Sequence, residues 1–188
     1  MKGGTLHRHR IGVMGQEKIM PITDSVDDIS SQKVRALDAY WRARLDSGVA
    51  PLRGTFEPYD LRRLLPNILI VDITAAPFSV RYRLIGTKVV DVSRVDFTGK
   101  RLDECDFQAE DSLIWHQSYQ RVLESGAPVF GHVRIPMNED SNRGLIDEFG
   151  IFPLSHDGKN IHQCIAIEDF RPIDRFVPAE KIRPMRVR

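Results

Sequence analysis

The sequence predicts an α+β domain built on an antiparallel sheet. Apolar residues recur at helical spacing in two separate segments and follow a strand-like pattern in five others. The strand-like segments come in runs, two and then three, instead of alternating one by one with helices, which argues against a parallel sheet. At 188 residues and 41% hydrophobic content, the chain can bury one core of ordinary size, so one domain with extensions is expected.

The first element is a helix over residues 32–46, where Val34, Leu37, Trp41 and Leu45 recur at three- or four-residue steps and Tyr40 widens the stripe. Ser30 or Ser31 is placed to cap its start and Gly48 to end it. Residues 1–28 carry little pattern and read as a flexible arm. Pro58 sits at a favourable first helical position and Pro66 where a helix must stop, so 58–66 spans a turn or two. Strands follow at 68–73 and 78–85. The second alternates Phe78, Val80, Tyr82 and Leu84 against Ser79, Arg81 and Arg83, a hairpin with one wet face.

From Gly86 to Cys105 the pattern is irregular, with a short helix around 89–92 and a turn at Phe97-Thr-Gly-Lys100. A longer helix over 110–124 carries Trp115, Tyr119, Val122 and Leu123, and Ser125-Gly-Ala-Pro128 ends it. Strands at 129–135, 145–154 and 161–170 complete the order. The last two are joined through His156-Asp-Gly-Lys159, where Asp-Gly suggests a type I′ turn with positive φ at both central positions. The expected organisation is an arm over 1–28, a domain over 29–172 and a basic tail over 173–188.

Composition removes several function classes. No segment approaches the roughly 20 apolar residues of a membrane-spanning helix, and the basic N-terminus lacks the apolar core of a secretion signal, so a cytoplasmic protein is expected. Cys105 and Cys164 stand far apart in no metal-binding or disulfide pattern. His7 and His9 lack neighbouring ligands, so no metal site is expected. The net charge of +1 hides basic ends and an acidic body. The first 20 residues hold four Lys/Arg to one acid, and the last 18 hold six to two. Nucleic-acid binding needs a continuous positive face, which an acidic body does not offer. Neither a phosphate-binding loop nor a GxSxG elbow occurs: Gly99-Lys100 is followed by Arg101, and Arg94 stands where the loop's first Gly belongs.

The order of elements resembles that of PAS domains. Tyr82-Arg-Leu-Ile-Gly-Thr87 followed by Phe97-Thr-Gly-Lys-Arg-Leu-Asp-Glu104 is similar to the PAS passage from the second strand into the helical middle. Leu123-Glu-Ser-Gly-Ala-Pro-Val129 is similar to the entry into the third strand, and Phe152-Pro-Leu-Ser-His-Asp-Gly158 to the last hairpin. With Tyr40-Trp41, Pro51-Leu-Arg53, Pro58 and Leu65-Pro66, the chain resembles a stand-alone bacterial PAS-like family, common in alphaproteobacteria, that carries a helix before the PAS core. The resemblance implies a five-stranded antiparallel sheet with helices over one face, enclosing a cleft that holds haem, flavin, a small metabolite or nothing. It also implies sensing or partner binding, here as a homodimer or with a regulatory protein, and no catalytic residues.

Candidate lining residues of that cleft are Phe97, Trp115, His116, Tyr119, Phe130, His132, Phe149 and Phe152, each with core packing or a solvated face as its alternative. Which of Phe149 and Phe152 faces inward depends on register and on any bulge near Gly150. Tyr40 and Trp41 are candidates for a dimer contact, with packing on the domain's own sheet as the alternative. Arg81 and Arg83 share a strand face that could grip an anion. Cofactor identity stays open between haem, a small metabolite and none. Flavin photochemistry is disfavoured, since Asp103-Glu-Cys-Asp106 does not match the reactive-cysteine motif of flavin photosensors and its acids raise a thiol pKa. Asp147 and Glu148 point to opposite faces of a strand and so read as a surface or hairpin-edge pair. The rival reading is a small cone-shaped isomerase or hydratase, which needs a carboxyl deep in an apolar pocket with a raised pKa.

Overall fold

The computed structural model describes residues 22–105, 109–136 and 144–173. Most of the expected arm, with His7 and His9, and the basic tail from residue 174 onward lie outside the described residues.

Ser31 begins the first helix, α1 (Gln32–Arg42): its hydroxyl accepts from the Val34 amide and donates to Asp169. Val34, Leu37 and Trp41 form the buried stripe. The helix stops at Arg42, short of Gly48, because Arg44 folds back. Its guanidinium stacks 3.3 Å from the Tyr40 ring centre and donates to the Tyr40 carbonyl. Leu45, expected on the stripe, is consequently exposed.

Strands β2 (Ile68–Ala75) and β3 (Phe78–Ile85) form the expected hairpin, closed through a cis Ala76–Pro77 bond. Gly86 then starts α2 (Thr87–Ser93). A side chain at Gly86 would place its Cβ 2.3 Å from the Pro66 carbonyl oxygen, so glycine is what lets this corner close. The long helix α3 (Ala109–Ser125) leads into β4 (Val129–Pro136), β5 (Gly144–Ser155) and β6 (Ile161–Ile173). The β5–β6 hairpin is present, but its turn is not type I′. Only Gly158 has positive φ, and Asp157 organises a longer loop by accepting from the amides of Lys159 and Asn160.

The sheet has six strands, one more than expected. The extra strand, β1 (Ile22–Thr23), comes from residues read as part of the arm, and its two residues are too few for any periodicity to show. The pairings between these strands are all antiparallel, in the order β1-β4-β5-β6-β2-β3. Each face buries its own core. On one face α1 covers Phe130, Phe152, Leu154, Ile165 and Ile167; on the other, α2 and α3 cover Val71, Val80, Tyr82, Val133, Phe149 and Ala166. Gly150 lets α1 come close, since a Cβ there would stand 3.0 Å from Val34 and 2.9 Å from the Phe152 ring.

Candidate functional site

A cavity of about 240 Å³ lies on the α2/α3 face of the sheet. Tyr82, Val133, Asp147 and Glu168 line it from the strands, and Val89, Val92 and Ser93 from α2. The segment after α2 supplies Val95 and Phe97, and α3 supplies Trp115. Arg94, between α2 and the segment that follows it, caps α2 in the left-handed region at φ 62°, uncommon for a residue with a Cβ. Trp115 packs on Phe149 at 4.7 Å between ring centroids, and Tyr82 on Phe97 at 5.8 Å.

Regular alternation along the strands sorts the candidates. Phe97 and Trp115 line the cavity, and Tyr119 and Phe149 lie in the core beside it. Phe149 faces this side because β5 runs without a bulge through Gly150; its register shift comes later, at Leu154/Ser155. Phe130 and Phe152 therefore belong to the opposite core, with ring centroids 5.6 Å apart beneath α1, and are not cleft residues. His132 shares the Phe130 face, half-buried and opposite Glu148, so it also points away from the cavity. His116 is exposed on α3 and stacks on Phe78 at 4.7 Å.

Both dimer candidates make contacts within the domain. Trp41 is 2% exposed and donates its indole N–H to the Pro153 carbonyl at 2.7 Å. Tyr40 packs edge-on against Phe56 and donates to Asp60. Arg81 donates to the Gly99 carbonyl, and Arg83 pairs with Asp72. Cys105 is half-buried and Cys164 buried; burial is the main cause that raises both thiols.

Two carboxyls that the sequence did not single out for this site define its chemistry. Asp147 and Glu148 do point to opposite faces, but both are buried, so the surface-pair reading is corrected. The acidic pair Glu168-Asp169 crosses them on β6: Glu148 lies opposite Asp169, and Phe149 opposite Glu168. The pleat thus sends Asp147 and Glu168 into the cavity and Glu148 and Asp169 to the start of α1. There the second pair is fully engaged: Glu148 accepts from the Ser30 amide and hydroxyl and pairs with Arg171, and Asp169 accepts from Ser31 and pairs with Lys33 at 2.7 Å.

The cavity pair has no such support. Asp147 is 1% exposed, and neither of its oxygens has a hydrogen-bond partner of normal geometry. Burial first, then the nearby Glu168 and Asp169 charges, hold its carboxyl well above the usual carboxylate range, against a weak pull from the Asp169 amide. Glu168 is half-buried and lines the cavity, and burial pushes it from the usual 4.5 to about 8. The only cue in the sequence was two acidic dipeptides in strand-like segments, where a pleat must bury one member of each.

Residues 29–164 match the family model described as PAS domain, and the chain belongs to that family. Among solved structures, one described as "Structure of an RNA-binding Light-Oxygen-Voltage Receptor" is similar at 16% identity with a TM-score of 0.42. The similarity covers 66% of this chain and 36% of that one, so the chain spans about a third of that receptor. No curated protein matches the sequence. Among the described residues, no helix is long and apolar enough to cross a membrane.

Proposed function

We propose that this PAS domain acts in cytoplasmic signal transduction by taking a small ligand into the α2/α3 cavity and changing its affinity for a regulatory protein or a second copy of itself. One observation carries the reading: the buried Asp147 carboxyl, without a hydrogen-bond partner of normal geometry, in a largely apolar, aromatic-walled cavity that it shares with Glu168. A buried polar group without a partner is costly unless something fills the role, and a ligand's donors would do so. The volume is below the roughly 300–1,000 Å³ typical of drug-sized ligands, which favours a small metabolite. Haem does not fit the residues that are described, because among them no His, Cys or Met side chain lines the cavity to serve as an axial ligand. Asp147 and Glu168 neighbour in sequence the residues that hold the start of α1, which gives occupancy a short route to that helix. The helix before the core also supports membership of the bacterial PAS-like group that carries such a helix. A partner would use surfaces other than Trp41, such as the exposed Tyr59 and Leu113.

Native and denaturing mass spectrometry of protein purified without added cofactor tests the ligand reading, alongside a variant whose cavity is filled by Val133→Trp. A small molecule carried by the native protein and lost from the filled variant is expected. Equal masses for native and filled proteins, after correction for the substitution, with no small molecule in either denatured sample, would count against it.

The isomerase or hydratase reading has one specific observation in its favour, a carboxyl with a raised pKa in an apolar cavity, as proton-transfer catalysts use. Turnover of a ligand identified by the same experiment, abolished in Glu168→Gln, would move the assignment to that class.

A further inference from the structure

We propose that the cavity receives a small organic cation, a primary ammonium group on an apolar body, with Asp147 and Glu168 as its counter-charges. The proposal rests on the reading that the cavity binds a small ligand, and names that ligand's chemical class.

Charge selects the class. Among the described residues, Asp147 and Glu168 are the charged residue types in the lining, and no Lys, Arg or His lines the cavity with them. On the opposite face of the sheet, Arg171 and Lys33 are committed to Glu148 and Asp169. An anionic ligand would meet two acids and no compensating cation. A neutral ligand could fill the volume, but would leave the carboxyls uncharged and use them weakly. An ammonium offers three donors, enough for the unpartnered Asp147 oxygens and for Glu168 together. The walls suit the same ligand: Tyr82, Phe97, Trp115 and Phe170 present aromatic faces and edges to a cavity that a cation can share with an apolar body.

Proton linkage follows from the same groups. Among the described residues, the titratable groups around the pair include Tyr82 from β3, Tyr119 from α3, Cys164 from β6, and Cys105 close to Tyr82. All four are raised by burial and uncharged at neutral pH. Asp169 and Glu148 lie nearby on the other face and oppose ionisation of Asp147. A bound ammonium favours the ionised acids, so binding displaces a proton and tightens as pH rises through about 8, where Glu168 titrates.

Isothermal titration at pH 8 with cyclohexylmethylamine, cyclohexylmethanol and cyclohexanecarboxylate, three probes of nearly one shape, tests the assignment. The amine, still cationic at this pH, is expected to bind about tenfold or more tighter than the alcohol, with the carboxylate weakest. Heats in buffers of different ionisation enthalpy are expected to show proton release with the amine alone. Asp147→Asn and Glu168→Gln, near-isosteric and checked for folding by thermal melting, should each erase the preference. Equal or tighter binding of the alcohol, or a preference for the carboxylate, would overturn the cation assignment while leaving a small-ligand cavity standing. Folded variants that keep the amine preference would overturn it as well. No binding by any of the three at millimolar concentration would remove both readings.

Discussion

A carboxyl inside an apolar cavity is costly to ionise, and Asp147 and Glu168 share one such cavity. Both bind protons more tightly folded than unfolded, Glu168 with its folded value near 8 against an ordinary 4.5. The folded state therefore holds protons that the unfolded chain has already released between those values. The Glu168 contribution to stability is fully present below about pH 4.5 and is lost as pH rises through about 8, and Asp147, raised in the same direction, adds to the fall. Urea unfolding across this range should show stability falling with pH. Glu168→Gln, which removes the group that must ionise, should flatten the fall and stabilise the protein at pH 8 by about 1–3 kcal/mol. A profile that is flat in the native protein, or unchanged by the substitution, would show that Glu168 titrates as a solvated acid. The sequence contains the cue but not its resolution: adjacent acids on a strand must face opposite ways, yet which faces are covered depends on α1 and α3.

Each face of the sheet has its own helix, and α1 is held by its first turn. Ser31 caps the helix and donates to Asp169, Ser30 donates to Glu148, and Lys33 pairs with Asp169. Ser31→Ala removes the cap and one of the bonds to Asp169, so a loss of about 1–2 kcal/mol is expected in chemical denaturation, whereas Ser31→Asn, which retains a capping oxygen, should lose less. At this scale the periodic elements were legible: α1, the β2–β3 hairpin, α3 and the last three strands begin within a residue or so of where the apolar pattern places them. What failed was local and has local causes. The end of α1 is set by Arg44 stacking on Tyr40, a contact that no periodicity encodes. The β5–β6 turn is set by the Asp157 carboxylate accepting backbone amides in place of a positive φ at Asp157.

Across the whole molecule, a sheet covered on both faces separates two duties. The α1 face is packed with Phe130, Phe152, Leu154 and Trp41, while the α2/α3 face leaves a cavity beside Trp115 and Phe97. Strand register and the place of α1 sort the remaining candidates: with α1 in place, the strand positions of Phe130, Phe152 and His132 put them on its side. The order of elements was thus enough to anticipate the family, and the aromatic content enough to anticipate a cavity wall. The second covered face was needed to tell the wall from the core. Methyl-resolved NMR during titration with cyclohexylmethylamine is the most direct measurement of whether the cavity is the ligand site. Saturable shifts are expected at Val89, Val92, Val133 and Ile135 while Leu154, Ile165 and Ile167 on the α1 face stay nearly still. Shifts concentrated at α1, scattered over the surface, or absent at saturating probe would contradict a ligand site in the cavity.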